Sequence, residues 1–591
     1  MKDAVPFLDR IRKLFRDDET HFVKLAELFF HRFFENEFVS RGSEARLTVV
    51  NVFALLALPP ILFTFYLIPV YDLIWWYYPW QYPTVSLVDH CRFITFSMVI
   101  IGFVAVLEWD ALFPDQRDYA ILTSLPLKAA TIFSTKITAL LLFLSLFIVD
   151  VGGVPTFFYP LVETMGIRGF HVSLLRLCGM IAAHAIAIIA ASAFSFLLFV
   201  ALQGLLINMF SPRAFKRVSL YAQVFAMVTL LLLLFLLPII STVLPKWQQA
   251  RSALLFWLPP LWFLGLYQTL LGSHDAVFHA LARISVVALA MVALICAAGY
   301  VLNYKRHMQR ALEASTADPA GPSWLAGAAM RLMNQLVLRK PRERATFFFV
   351  TRTITRSAKH RLYFAGYVGT GLALALFGIL GALVHSTHGN FIVVITRPHE
   401  ALLAIPLIIS FFLLSGMRMV FTIPAELRAN WIFQLAEDEN RMECLAGARM
   451  AMVVPVVLTL VSLFPLYSAL WGWPPAIMHL VFSLMLSLIL VELLLLNFRK
   501  IPFTCTFQSG KANITVLGVF YWFAFTTYAY TMATFERWLL DDGTRWIVFA
   551  IAAVLAFAGL VRWRNTQLAR GFSIVFEDAA TPEVQTLGLG A

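Results

Sequence analysis

Along most of the chain the apolar positions neither alternate nor keep a helical stripe. They run on for about 20 residues at a time, the length a helix needs to cross a bilayer. Such runs lie at 48–71, 93–109, 134–157, 176–206, 218–245 and 280–303, and again at 363–385, 400–421, 449–471, 476–497, 514–535 and 545–563. Each predicts a membrane-spanning helix, because in hydrocarbon every backbone N–H and C=O must be bonded within the segment. Two stretches keep a stripe instead. Within 20–38, Lys24, Glu27, His31 and Glu35 share one helical face, and Phe22, Leu25, Ala26, Phe29 and Phe33 share the other. That pattern predicts a helix lying in the interface just before the first span. Phe347-Phe-Phe349, followed by Arg352, Arg356, Lys359 and Arg361, suggests a similar element before the seventh. For both, a membrane-surface anchor with no other role is an equal alternative.

Composition narrows the class. Apolar residues make up 60% of the 591 and charged residues 14%, against roughly 45–50% and 25% in soluble domains. A water-soluble globule of this size cannot be covered with so little charge, so the fold expected is an all-α polytopic membrane protein of about twelve spans with interfacial helices. The net charge of +12 reads as topology. With the N-terminus inside, roughly 37 of the 46 Lys and Arg residues fall in inside segments, as the positive-inside rule requires. Both termini are then expected in the cytoplasm of a bacterial plasma membrane. No nucleic-acid motif accompanies the basic residues, so no nucleic-acid partner is expected. The first forty residues are too charged for a secretory signal, and insertion is expected to begin at the first span. Trp75, Trp76, Tyr77, Tyr78 and Trp80 read as an interfacial aromatic belt. Five scattered cysteines form no metal-binding spacing.

The chain also reads as two halves. The longest inside connection, Tyr304 to Arg361, contains Ala314-Ser-Thr-Ala-Asp-Pro-Ala-Gly-Pro-Ser323, the composition of a flexible linker. It divides the chain into an N-terminal segment (1–47), a first six-span half (48–303), a linker with the second interfacial segment (304–361), a second six-span half (362–563) and a tail (564–591). Each half has a moderately long inside loop after its second span and a short basic one after its fourth. The first of these loops shares a local pattern, Phe113-Pro-Asp-Gln-Arg-Asp-Tyr119 against Ile423-Pro-Ala-Glu-Leu-Arg-Ala-Asn-Trp431. An even number of spans per half makes such a repeat parallel.

The loop after the second span is longer than a reversal of direction needs. It ends in Asp118-Tyr-Ala-Ile-Leu-Thr-Ser-Leu-Pro-Leu127, followed by Lys128. In layout and in this run the chain resembles the transmembrane permease subunit of type-2 ABC exporters, here with two halves fused. The resemblance implies that an amphipathic helix precedes the first span and that the loop after the second span receives an ATPase. Asp115, Arg117, Asp118 and Tyr119 would form the first contact surface, and Glu426, Arg428 and Trp431 the second. It also implies a re-entrant element between the fifth and sixth spans. Trp247 to Leu271 occupies that place, and its Pro259-Pro260 pair is expected to break a helix there. The second half keeps only Phe535 to Arg545 at the matching position, and its inside loop has Ala436-Glu-Asp-Glu-Asn-Arg441 in place of Leu-Pro-Leu. Similarity in sequence is confined to these short segments.

No phosphate-cradling G-x-x-x-x-G-K-[ST] occurs, since Gly510-Lys511 lacks the preceding loop. On the exporter reading the chain is therefore no enzyme and binds no cofactor. ATP and Mg would belong to a separate nucleotide-binding ATPase subunit, two copies for two halves, and the chain's other partner is the lipid bilayer. Ionisable groups inside spans are the remaining candidates: Asp150, His184 and Glu492. Glu492 is expected to reach the inner interface or to pair with Arg499 or Lys500. His184 is expected as a hydrogen-bonded packing residue. Asp150, beside Gly152, Gly153 and Pro155, is expected to mark a helix break or to meet substrate. No set of His, Asp and Glu converges by spacing, so neither a metal centre nor a membrane hydrolase is supported. The competing reading is an ion-coupled secondary transporter of major-facilitator type, which also has six plus six spans but carries a Gly-rich basic loop that is missing here.

Overall fold

The computed structural model describes residues 20–32, 43–109, 112, 129–166, 169–170, 172–313, 340–385, 396–425, 430, 442–496, 498, 500–505 and 514–569. The protein is an all-α polytopic membrane protein. Eleven helices among the described residues are long and apolar enough to cross a membrane. Their outward faces confirm the environment: Leu55, Leu62, Tyr66 and, near the other end of the chain, Val548, Ile551 and Leu555 stand exposed in rows that no water-facing surface carries.

The chain divides into two compact units, Met1–Ala226 with Leu233–Asp318, and Pro319–Ala591 with Met227–Leu232. The first unit opens with α1 (Thr20–Arg32), followed by α2 (Ser43–Tyr77), α3 (Tyr82–Leu107), α4 (Ala129–Thr164), α5 (Leu174–Met209), α6 (Pro212–Phe235, of which Met227–Leu232 groups with the second unit), α7 (Leu237–Gln249), α8 (Pro259–Leu270) and α9 (Ala276–Glu313). A two-residue antiparallel pair, β1 (Met165–Gly166) with β2 (Gly169–Phe170), caps α4. The second unit holds α10 (Pro341–Arg356), α11 (Ala358–His385), α12 (Glu400–Val420), α13 (Met442–Trp471), α14 (Trp473–Leu495), α15 (Ile514–Thr526), a π-helical turn at Thr527–Thr531, α16 (Met532–Leu540) and α17 (Gly543–Ala569).

Several boundaries differ from those expected. The second span begins at Tyr82, not 93, with Pro83 in its first turn, and the third runs on to Thr164, not 157. Charged residues there do not end the helices, because the fold pairs them internally. The predicted fifth span is split at Leu236, after which Pro238 sits in the first turn of α7, where its missing N–H costs nothing. Pro259 and Pro260 likewise open α8 and do not break it, correcting the expectation for that segment. The predicted eleventh span is interrupted by the π turn and is not one of the eleven.

Internal prolines recur inside the spans. Thr64, Thr164 and Thr459 each stand four residues after one, and each hydroxyl donates back to the proline carbonyl: Pro60 at 2.7 Å, Pro160 at 2.7 Å and Pro455 at 2.8 Å. Such back-bonding gives the carbonyl a second partner inside hydrocarbon and bends the helix.

The units repeat one packing plan. In each, the second span (α3 or α12) is the most enclosed, with 72% of its apolar stretch buried. In each, the fourth span (α5 or α14) packs on the second, third and sixth. In each, the amphipathic helix packs on the third span. On α1 this buries Leu25, Ala26 and Phe29 and leaves Lys24 exposed, the faces expected from the sequence; Phe33 and Glu35 lie outside the described residues. The Lys136 ammonium of α4 lies 4.9 Å from the Phe29 ring. On α10, Phe347, Val350 and Ile354 turn inward. The approach of α10 to α13 is close enough that a Cβ on Gly447 would stand 2.4 Å from the Glu343 carbonyl oxygen, so only glycine fits. The plan differs at the first span, which packs on the third in the first unit and on the second in the other.

Candidate functional site: buried imidazole–carboxylate clusters

The seven residues implied as ATPase contacts, Asp115, Arg117, Asp118, Tyr119, Glu426, Arg428 and Trp431, all lie outside the described residues. What the structure describes is a polar cluster that sequence reasoning only touched through His184.

The cluster sits among α2, α3, α4, α5 and α8 of the first unit. Glu163, one residue from the end of α4, is its anchor. Its Oε1 accepts from the hydroxyls of Tyr82, at 3.0 Å, and Ser86, while Oε2 lies 3.1 Å from His90 Nε2. Its backbone carbonyl accepts from Trp75 Nε1 at 2.9 Å. His90 turns its other nitrogen to His184, with the two Nδ1 atoms 3.0 Å apart. Beside this row runs a second one. Asp89 accepts from Arg92 at 2.7 Å and from Tyr71 at 3.1 Å, and the Tyr71 and Tyr159 hydroxyls are 3.0 Å apart. Arg92 also donates to Ser241 of α7 at 3.0 Å. Asp89, His90, Glu163 and His184 are at most 1% exposed. Aromatic rings wall the site, Tyr267 of α8 lying 3.8 Å from the His90 ring and Phe93 5.9 Å from His184. Charge in so dry a place is tolerable only when it is paired and hydrogen-bonded, and here each ionised group has a counter-charge or several donors.

The second unit carries a smaller version. His479 Nδ1 of α14 lies 2.7 Å from Glu536 Oε1 of α16, both buried. The Tyr467 and Trp471 rings stand 4.7 and 5.6 Å from the imidazole, and the Tyr467 hydroxyl donates to the Leu402 carbonyl at 2.8 Å. In both units, then, a histidine of the fourth span meets a tyrosine of the third: His184 with Tyr159, and His479 with Tyr467. The π turn adds one more buried polar contact, holding the Tyr528 hydroxyl 3.1 Å from Ser410 Oγ and 3.3 Å from Ser487 Oγ. Turns of this kind re-aim a side chain without ending the helix.

The other intramembrane candidates fall differently. Glu492 is fully buried and pairs with Arg449 of α13, at 2.5 Å, and with Arg564 of α17. Of the expected partners, Arg499 lies outside the described residues and Lys500 is not paired with it; the carboxylate turns into the unit, where α13 and α17 each supply a guanidinium. Asp150 is mid-helix in α4, not near its end, since that helix continues through Gly152, Gly153, Pro155 and Pro160. There is no break at Asp150. The Gly152 backbone instead lies against α5, where an added Cβ would meet Ile188 at 3.0 Å. Asp150 Oδ2 is buried with no hydrogen-bond partner among the described residues. Of the three, His184 alone joins the large cluster; Asp150 stands apart from it in the first unit, and Glu492 belongs to the second unit.

Among the described residues no three His, Cys, Asp or Glu side chains are arranged to hold a metal ion. Chemically, the clusters can hold and pass protons and can bond a polar group that enters the aromatic walls. No protein-family model matches the chain, and no curated protein or solved structure matches it either.

Proposed function

We propose that the chain is the transmembrane permease subunit of an ATP-driven exporter, with two six-span halves in one polypeptide, embedded in a bacterial plasma membrane with both termini cytoplasmic. The observation that carries the reading is the repeated placement of an amphipathic helix on the third span of its own half, α1 on α4 and α10 on α13. A helix so placed levers the bundle: force applied at the membrane surface is delivered to the third span, which packs on the fourth in both units. The positive-inside distribution of Lys and Arg supports the orientation. The missing phosphate loop supports a separate motor. ATP and Mg then belong to a docked nucleotide-binding subunit, one copy per half, and the loops around Arg117 and Arg428 form its grip.

A second reading, a secondary transporter driven by an ion gradient, is favoured by one observation: each unit buries a histidine against a carboxylate inside its bundle. Isolation from membranes of the native host separates the two. On the exporter reading a nucleotide-binding protein copurifies with the chain, and the chain stripped of it hydrolyses no ATP. Isolation of the chain alone, together with uptake into vesicles driven by a proton gradient without ATP, would establish the second reading instead.

A further inference from the structure

We propose that the His90–His184 pair in the first unit is a binding site for one proton, loaded through His184 Nε2 and stabilised by Glu163. The inference goes beyond the exporter reading and holds whichever energy source drives transport.

The hydrogen bonds of the cluster lead to it. Glu163 receives the Tyr82 and Ser86 hydroxyls on one oxygen and faces His90 on the other; with the carboxylate ionised it accepts on both, and His90 Nε2 carries hydrogen. The two Nδ1 atoms at 3.0 Å can be bonded only if one proton lies between them. One unloaded arrangement meets these conditions, and one loaded arrangement meets them with its charge next to Glu163; the other loaded tautomer, a His184 imidazolium donating to His90, is the intermediate between them. In the first, both rings are neutral: His184 Nδ1–H donates to His90 Nδ1, and His184 Nε2 is a bare acceptor. In the second, His90 is an imidazolium that donates from Nδ1 to His184 Nδ1, and His184 Nε2 carries hydrogen. The two differ by one proton and by no heavy-atom position.

Within the cluster, loading therefore moves no heavy atom. A proton from water bonds to His184 Nε2, the Nδ1–H of His184 passes to His90 Nδ1, and the added positive charge comes to rest beside the Glu163 carboxylate. Every other bond in the cluster is unchanged, and unloading reverses the same two transfers. The entry atom is identified by burial: His184 is fully buried, and its Nε2 has no hydrogen-bond partner among the described residues.

The groups that face the pair set its charge balance. Tyr71 comes from α2, and Tyr82, Asp89 and Arg92 from α3 itself. Tyr159 and Glu163 come from α4, and Tyr267 from α8. Ser241 of α7 bonds Arg92, and Cys296 of α9 bonds the Leu197 carbonyl further along α5. Arg176, at the exposed start of α5, adds a cation near the same end of the helix. Asp89 and Arg92 neutralise one another, which leaves the Glu163 charge as the one that an added proton compensates. His479 and Glu536 repeat the imidazole–carboxylate half of this device in the second unit, again with the imidazole Nε2 unpartnered among the described residues.

The test uses the full-length protein, labelled with nitrogen-15 at histidine, reconstituted in lipid and followed by solid-state NMR from about pH 9 to about pH 4. The pair is identified without any variant by a nitrogen–nitrogen coupling across its shared hydrogen bond, since His90 and His184 are the two imidazoles bonded to each other among the described residues. The expected result is one shared transition, in which His90 Nδ1 and His184 Nε2 gain hydrogen at the same midpoint and the pair takes up one proton. Two imidazoles that titrate at separate midpoints, no coupling between them, or His90 and His184 nitrogens that gain no hydrogen across the range would each overturn the proposal.

Discussion

Replacing Glu492 with alanine is expected to destabilise the second unit by about 3–5 kcal/mol, the usual cost of stripping one partner from a buried ion pair. The carboxylate is fully buried and joins three helices, since Arg449 approaches from α13 and Arg564 from α17 while Glu492 itself rides on α14. Its removal leaves two guanidiniums facing each other across the helix packing with no counter-charge, so repulsion adds to the lost attraction. In detergent the midpoint of thermal unfolding should fall by roughly 10 °C. Glu400, whose pairing with Arg537 at 3.2 Å is half exposed, supplies the contrast. Glu400→Ala should cost under about 1 kcal/mol, as exposed pairs do. Equal and small effects from the two variants would show that Glu492 is not the tie between these helices.

Glu163→Leu is expected to have a comparable effect in the first unit, about 3–5 kcal/mol, by a different route. Here the loss is of an acceptor. The Tyr82 and Ser86 hydroxyls and the His90 ring all meet the carboxylate, and Ser86 and His90 are buried, so its loss leaves them without this partner away from solvent. Glu163→Gln keeps the shape and one acceptor oxygen, so it should cost less than the leucine variant. Measured as thermal unfolding in detergent, the order wild type, Gln, Leu is the signature of hydrogen-bond loss. An equal drop for both would point to the negative charge itself, and no drop for either would mean that the cluster is not satisfied as described.

Much of the architecture was legible because the bilayer enforces it. Unbroken apolar runs located eleven spans, and the face assignment of α1 followed from period alone, with Leu25, Ala26 and Phe29 buried as the stripe required. The cluster was not legible, for a reason traceable to particular residues. Asp89, His90 and Arg92 lie in a stretch whose charge suggests a loop, and Glu163 stands beyond a plausible span end. The hydropathy rule charges each of them the cost of a lone ion in lipid, whereas the fold buries them together, with Arg92 on Asp89 and with Tyr82, Ser86 and His90 on Glu163. Pairing across 73 residues leaves no mark in a local window. The one hint was His184, an ionisable residue amid Ala and Ile, and its partners could not be named from its own helix. Glu492 failed in the same way: its sequence neighbours are basic, but its true partners are Arg449 and Arg564, brought in by α13 and α17.

The central claim, that a separate ATPase drives this chain through its inside loops, is tested most directly by the ATPase rate of the copurified complex in lipid, with the wild-type chain and with Arg117→Glu. If the inside loops couple the two proteins, the wild-type chain stimulates the ATPase, and Arg117→Glu abolishes the stimulation while the variant inserts and unfolds as the wild type does. Full stimulation by the charge-reversed chain, or a wild-type chain that leaves the ATPase rate unchanged, would contradict it.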